Sequence, residues 1–276
     1  MLVQYAVHAG LMLFTVATLY PVLWVLTMAV SPGQSFAGGA VPIPTEVSGE
    51  HFRAVVGTMD GDTWLFGRQV FNSLVVAGAT SLMGLALSTT AAYALSRWAF
   101  PGRERGMDAF LVTQMFPGVV MAIPLYILLD AAGLLDSLLG LVLVYATTSV
   151  PFSVWTLKGY FDTIPTALEE AALLDGAGRF TIFSQIILPL ARPALAVTGL
   201  FSFMTAWNEF ILAATFLGDP RAYTLPVVLQ SYVSDYGTRW GDFAAGAVLV
   251  SLPVMILFFA LQKHFVEGLT AGGVKG

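Results

Sequence analysis

The chain holds 276 residues, 57% of them hydrophobic and 11% charged, with a mean hydropathy of +0.79; a soluble domain carries roughly 25% charged residues, so most of this chain is solvated by lipid. A net charge of −5 and a pI near 5.1 give no electrostatic basis for holding nucleic acid. Without cysteine there is no disulfide, thiolate nucleophile or Cys-based metal site, and His8, His51 and His264 form no HExxH pair, so no metal site is expected.

Uncharged runs of about 20 residues mark membrane helices. In chain order they fall near 9–30, 70–95, 109–129, 138–157, 194–217 and 243–261, which predicts an all-α integral membrane protein with six transmembrane helices in one domain, 1–276. The first run has no basic flank and no convincing cleavage site after it, so it reads as a retained helix rather than a secretory signal. An even number of spans leaves both termini on one side. Placing that side in the cytoplasm puts Arg97, Arg103, Arg105, Lys158, Arg179, Arg192, Lys263 and Lys275 there, eight of the twelve basic residues, against Arg53, Arg68, Arg221 and Arg239 outside.

Along the second span Ser73, Ala77, Ser81, Gly84, Ser88 and Ala91 recur at steps of three and four. Small residues let helix backbones approach in lipid, so this edge is expected to face protein. Pro117 and Pro124 interrupt the third span and Pro253 the sixth, either as bends used in movement or as static packing features.

Between the fourth and fifth spans lies the polar segment 166–193. Thr166 with Glu169 three positions on has the form of a capping box, predicting a short helix from Ala167 to about Leu174 that Gly176 stops in the left-handed conformation. Phe180, Phe183 and Ile187 then recur at helical spacing until Pro189, predicting a second amphipathic helix along the membrane face, and Pro193 opens the next span. Ala171, Ala172, Gly176 and Ala177 are small where a lipid anchor wants bulk, which favours docking against another protein over anchoring. Further on, Glu209 is a carboxylate deep within a span and must face a partner, a water path or a bundle interior. Two roles stay open for it: a gate or pathway residue, or an interhelical hydrogen bond with Asn208 or a neighbouring subunit.

The segment EAALLDGA followed by IILPL resembles the EAA loop of ABC importer permeases. FNSLVVAG, ALSTTAAYALSR with FPGR, QMFPGV, VWTLKGYFDTI, WGDFAAGAVL and the ending GLTAGGVKG together resemble the MalG-type permease subunits of maltose/maltodextrin importers, from about Phe71 onward and more weakly before it. That resemblance implies a type I ABC importer permease fold whose short cytoplasmic helix is the coupling helix, with Glu169, Glu170, Ala171, Ala172, Asp175, Gly176 and Ala177 docking on an ATPase subunit. It implies that the tail 262–276, through Gly268, Thr270, Gly272, Gly273 and Lys275, reaches into the ATPase dimer. It also implies that the loop before the last span, at Gln230, Ser231, Tyr232, Ser234, Asp235 and Tyr236, enters an external sugar-binding protein. In the same region Trp240 and Tyr223 read as membrane-belt aromatics.

The partners so implied are a second, MalF-type permease, a MalK-type ATPase dimer, the extracytoplasmic binding protein and membrane lipid, in a bacterial or archaeal cytoplasmic membrane. No phosphate-cradling GxxxxGK[ST] loop and no GxSxG elbow occurs, so catalytic residues and cofactors are expected to be absent from this chain, with ATP and Mg bound by the partner. Rival readings keep the machine and change the cargo to trehalose, another oligosaccharide or glycerol phosphate. A stand-alone secondary transporter leaves the EAA loop unexplained, and a membrane enzyme has no acid, base or metal cluster behind it.

Overall fold

A computed structural model describes residues 2–34, 41–233 and 237–273 of the chain. Helices α1 (Leu2–Val30) and α2 (Glu50–Val56) are followed by a hairpin of strands β1 (Met59–Asp60) and β2 (Thr63–Trp64), then α3 (Leu65–Arg97), α4 (Arg103–Gln114), α5 (Gly118–Ala131) and α6 (Leu138–Thr163). After these come α7 (Ala167–Leu174), α8 (Arg179–Ile182), a π-helical turn over Phe183–Ile187, α9 (Leu188–Leu190), α10 (Arg192–Asn208), α11 (Ile211–Phe216), α12 (Leu225–Ser231) and α13 (Trp240–Gly273). The hairpin pairs Met59 with Trp64 and Asp60 with Thr63 around Gly61, whose φ of +57° suits glycine. It is a two-rung exception to the all-α expectation.

Among the described residues four helices are long and apolar enough to cross a membrane, and six spans result if each of two bent pairs counts as one: α4 with α5, bent by 100°, and the α8–α9 stretch with α10, bent by 77°. The expected third span is therefore no single rod. Pro117 is extended (φ −58°, ψ 129°) and its ring disfavours helical backbone at Phe116 before it, whereas Pro124, Pro151 and Pro253 sit inside unbroken helices. The fifth span also departs from expectation: α10 ends at Asn208, Glu209 is extended (φ −70°, ψ 126°), and the rest continues as α11. At about 1.5 Å per residue the 17 residues of α10 span only about 25 Å.

The described residues form two compact units. One comprises 1–70 and 224–254, the other 71–223 and 255–276. In the first, α1 leaves Leu13, Phe14 and Val16 largely exposed, as a surface meant for lipid or another apolar face does. In the second, α3 packs its small-residue edge against α6 and α10. Ser73, Ala77 and Ser88 are buried there, and Ser81 Oγ donates to the Gly199 carbonyl at 2.8 Å. A Cβ on Gly84 would stand 3.1 Å from Ser149 Oγ and 3.3 Å from Ser202 Oγ, so the three helices meet with no room for a branched side chain.

Gly84→Leu is accordingly expected to overpack this seam by about 1–3 kcal/mol. Thermal unfolding of the purified protein in detergent should show a lower midpoint, and an unchanged midpoint would mean that the helices do not close on Gly84.

Candidate functional site

The polar segment after α6 folds into a short helix seated on its own protein. Helix α7 covers the expected residues, but the capping box does not form. Thr166 already has helical dihedrals (φ −62°, ψ −25°) and its side chain caps nothing, its carbonyl instead accepting the Glu169 and Glu170 N–H groups at 2.9 and 3.0 Å. The Glu169 carboxylate is drawn elsewhere: Oε1 accepts from Arg97 Nε in a close ion pair and Oε2 from the Tyr93 hydroxyl at 2.6 Å. Arg97 also donates Nη2 to the Ile164 carbonyl at 3.1 Å. One guanidinium thus ties the end of α3 to both sides of the turn that launches α7, and the fork geometry of arginine makes that possible.

At the other end Gly176 adopts φ +83°. Its N–H donates to Leu173 O at 3.0 Å and Ala177 N–H to Ala172 O at 2.9 Å, the paired bonds of a Schellman stop. The stop and the start fix which face of α7 is presented. Glu169 and Ala172 turn inward, Ala172 into a core with Phe161 and Ile182, and Ala177 is half-buried. Glu170, Ala171, Asp175 and Gly176 are exposed, together with Leu173 and with Leu174, which is 90% exposed. Two of the residues expected to dock thus hold the helix in place, and two leucines outside the expected set stand beside those that remain exposed.

Beyond the stop, Ile182 and Ile187 are buried while Phe180 is 80% exposed, so the expected Phe180, Phe183 and Ile187 stripe is rotated. The reason is the wider turn at Phe183–Ile187, where Leu188 N–H donates to Phe183 O. Pro189 sits just past it, and the added residue per turn moves the upstream carbonyls from the position its ring would otherwise strike. Proline therefore does not end this helix; the chain turns at Ala191 (φ −88°, ψ 2°). Tyr93 packs its ring 4.9 Å from Phe183 and 5.2 Å from Trp98, and the Arg179 guanidinium lies 5.6 Å over Trp98. This aromatic bed carries the whole segment on α3 and α6.

In the broken fifth span, Glu209 caps the helix that follows it. Its carboxylate accepts Leu212 N–H at 2.9 Å, Ala213 N–H at 3.0 Å and the Tyr145 hydroxyl of α6 at 2.6 Å. Asn208, one of the partners the sequence leaves open for it, bonds its side chain to Met204 O instead. Leu212 of the capped helix lines a cavity of about 320 Å³ with Gln114, Phe116, Thr147 and Thr148, where Gln114 Nε2 reaches the Thr148 carbonyl at 3.0 Å.

Gln230 and Ser231 end α12 on exposed positions, whereas Tyr232 is buried, with the Arg239 guanidinium 5.2 Å over its ring. Burial raises the Tyr232 phenol above its ordinary pKa, against the pull of Arg239. Ser234, Asp235 and Tyr236 lie outside the described residues. Gly268, Thr270, Gly272 and Gly273 continue the backbone of α13 where a separate tail was expected, and Lys275 lies outside the described residues. No group of three or more metal-ligating side chains occurs among the described residues.

Arg97→Ala should leave Glu169 unpaired at a nearly buried position, costing about 3–5 kcal/mol, and release α7; faster tryptic cleavage at Arg179 than in wild type checks this, with Arg97→Lys intermediate because it keeps charge and loses the fork. Glu209→Ala removes the shared acceptor from two backbone amides and one hydroxyl, so it should cost about 2–4 kcal/mol and cost more than Tyr145→Phe. Unfolding midpoints of the two variants decide the order.

The protein family described as binding-protein-dependent transport system inner membrane component matches residues 84–270. The maltose/maltodextrin transport system permease protein MalG of Salmonella typhimurium strain LT2 is 40% identical over 98% of this chain and 95% of its own length. That of Vibrio vulnificus strain YJ016 is 40% identical over 99% and 96%. Among solved structures, a chain of a bacterial ABC transporter involved in the import of the acidic polysaccharide alginate superposes with a TM-score of 0.78 at 25% identity, covering 95% of this chain and 96% of its own. These likenesses join an all-α ABC importer permease fold to sequence agreement along nearly the whole chain. The chain belongs to the family of binding-protein-dependent transport system inner membrane components, multi-pass proteins of the inner membrane.

Proposed function

We propose that this chain is a transmembrane permease subunit of an ATP-driven sugar importer whose cargo is maltose or a maltodextrin. The observation that carries the reading is 40% identity to maltose/maltodextrin permeases over 98% of the chain. Likeness to a subunit of an alginate importer supports the carbohydrate class and leaves another oligosaccharide, trehalose included, as the rival cargo. The chain works beside a MalF-type permease, a MalK-type ATPase dimer that binds ATP and Mg, and an extracytoplasmic sugar-binding protein. Both termini face the cytoplasm, as the distribution of Lys and Arg supports.

In this reading α7 is the coupling helix. Its exposed face of Glu170, Ala171, Leu173, Leu174, Asp175 and Gly176 seats in the ATPase, and the Arg97–Glu169 pair passes the push of the closing ATPase dimer into α3 and α6. A rod of about 12 Å held at both ends transmits force where a loose one absorbs it. ATP-driven closure turns the cavity outward to meet the loaded binding protein, and hydrolysis resets it. The loop from Gln230 to Tyr236 meets the binding protein, and the residues from Gly268 to Lys275 extend toward the ATPase.

Gly176 tests the coupling step, because its positive φ strains any side chain although a Cβ there would meet nothing within 4 Å. In the assembled complex Gly176→Val should reduce maltose uptake by roughly tenfold or more while ATP hydrolysis persists. Unchanged uptake would remove α7 from the coupling route. The intact mass of the gently purified assembly tests the class itself: a second permease and two ATPase copies are expected, and full-rate transport by this polypeptide alone in vesicles would overturn the reading.

A further inference from the structure

Two titratable side chains that the transport reading leaves unused are buried together in the unit formed by residues 1–70 and 224–254. His51 of α2 is 2% exposed, and Asp242, in the first turn of α13, is fully buried. His51 Nδ1 lies 2.7 Å from Asp242 Oδ1, and Nε2 lies 3.0 Å from the Ser31 carbonyl oxygen. Asp242 and the Ser31 carbonyl thus offer an acceptor to each ring nitrogen, and Gln34 Nε2 stands 3.4 Å from Nδ1. Glu50 Oε1, 3.6 Å from Nε2, adds a second negative neighbour. The other Asp242 oxygen accepts from Gln34 Nε2 at 2.9 Å and from Arg239 Nη2 at 2.5 Å. Gly241 makes the approach possible, because a Cβ there would collide with the His51 ring.

The same network reaches the loop that precedes the last span. Arg239, half-exposed, pairs with Asp242, covers the Tyr232 ring, and donates its N–H to the Tyr232 carbonyl at 2.9 Å. The chain leaving α12 and the chain entering α13 are thereby closed on each other. A buried carboxylate with three side-chain donors has one position that satisfies it, and any other leaves a charge unpaired.

We infer that His51 and Asp242 are positioning residues: they fix the start of α13 and, through Arg239 and Tyr232, hold the base of the loop in the orientation that receives the binding protein. This rests on the assignment of that loop to the binding protein. Ordering the loop base beforehand spares its ordering cost on association, so the pair acts on affinity for the binding protein and leaves the turnover of the docked complex alone.

The experiment measures ATPase stimulation of the reconstituted complex against the concentration of maltose-loaded binding protein, for wild type, Asp242→Asn and Arg239→Gln. Asp242→Asn should assemble, reach a maximal rate near that of wild type, and need about tenfold more binding protein for half-stimulation, ~1.4 kcal/mol. An unchanged half-saturating concentration, or a lowered maximal rate at the same concentration, overturns the inference. Should Asp242→Asn fail to assemble, the same two quantities are measured on Arg239→Gln, which leaves the buried pair intact, and the same two results overturn the inference. A cysteine at Thr238, unique because the chain has none, separates the two ideas. If Thr238→Cys does not crosslink to binding protein in an otherwise wild-type chain, the loop assignment fails. If it crosslinks equally well with and without Asp242→Asn, the assignment stands and the positioning role fails.

Discussion

Inside a bilayer every backbone N–H and carbonyl must find its partner within the protein, and that requirement governs where this chain interrupts its helices. Between α10 and α11 the Glu209 carboxylate accepts two amides that the break leaves open, with Tyr145 as a third donor. Between α4 and α5 Gln114 reaches the Thr148 carbonyl of α6. At the loop after α11, Asn72 of α3 donates to the carbonyls of Arg221 and Tyr223 at 2.9 and 3.1 Å. At Glu209 a polar side chain therefore stands in for missing backbone bonds. At Glu209 three donors surround the carboxylate, so no lysine or arginine is needed beside it.

Helix α3 is the element on which the second unit is assembled. Its small residues admit α6 and α10 at close range along the middle, where lipid supplies no hydrophobic drive and packing has to do the work. Its end carries Tyr93 and Arg97, with Trp98 directly after it, the residues that seat α7 and α8. Close approach and the polar seat are parts of one device: a helix already fixed by contacts along its length presents Arg97 where it can bridge the Ile164 carbonyl and the Glu169 carboxylate at once. The exposed face of α7 is thereby defined by what it turns inward. Once Glu169 and Ala172 are committed to the seat, Leu173 and Leu174 have only the outer face left.

Much of this is legible in the chain because it depends on local rules. Composition and run length identify the membrane helices, and the steps of three and four from Ser73 to Ala91 mark the packed edge of α3. Gly176 marks the end of α7, since left-handed backbone favours a single residue type. The short helix itself follows from a run of strong helix formers bounded by a threonine and a glycine. Local rules fail where a distant partner binds more strongly than a near one. Thr166 and Glu169 have capping-box spacing, but a cation and a phenol on α3 offer Glu169 more than a backbone amide does. Asn208 adjoins Glu209, yet Tyr145 from another helix is the one that reaches it.

Read alone, the chain already shows a helical membrane protein, where its apolar segments lie, and which polar segment stands apart between them, because hydropathy, helix propensity and the conformational freedom of glycine act over a few residues. The partners of Glu169 and Glu209, the rotation of the helix after Gly176 and the meeting of His51 with Asp242 emerge in the folded chain alone. Those two are 191 residues apart in the chain, and the pairing exists because folding removes both from water and leaves each as the other's nearest compensation for the lost solvent.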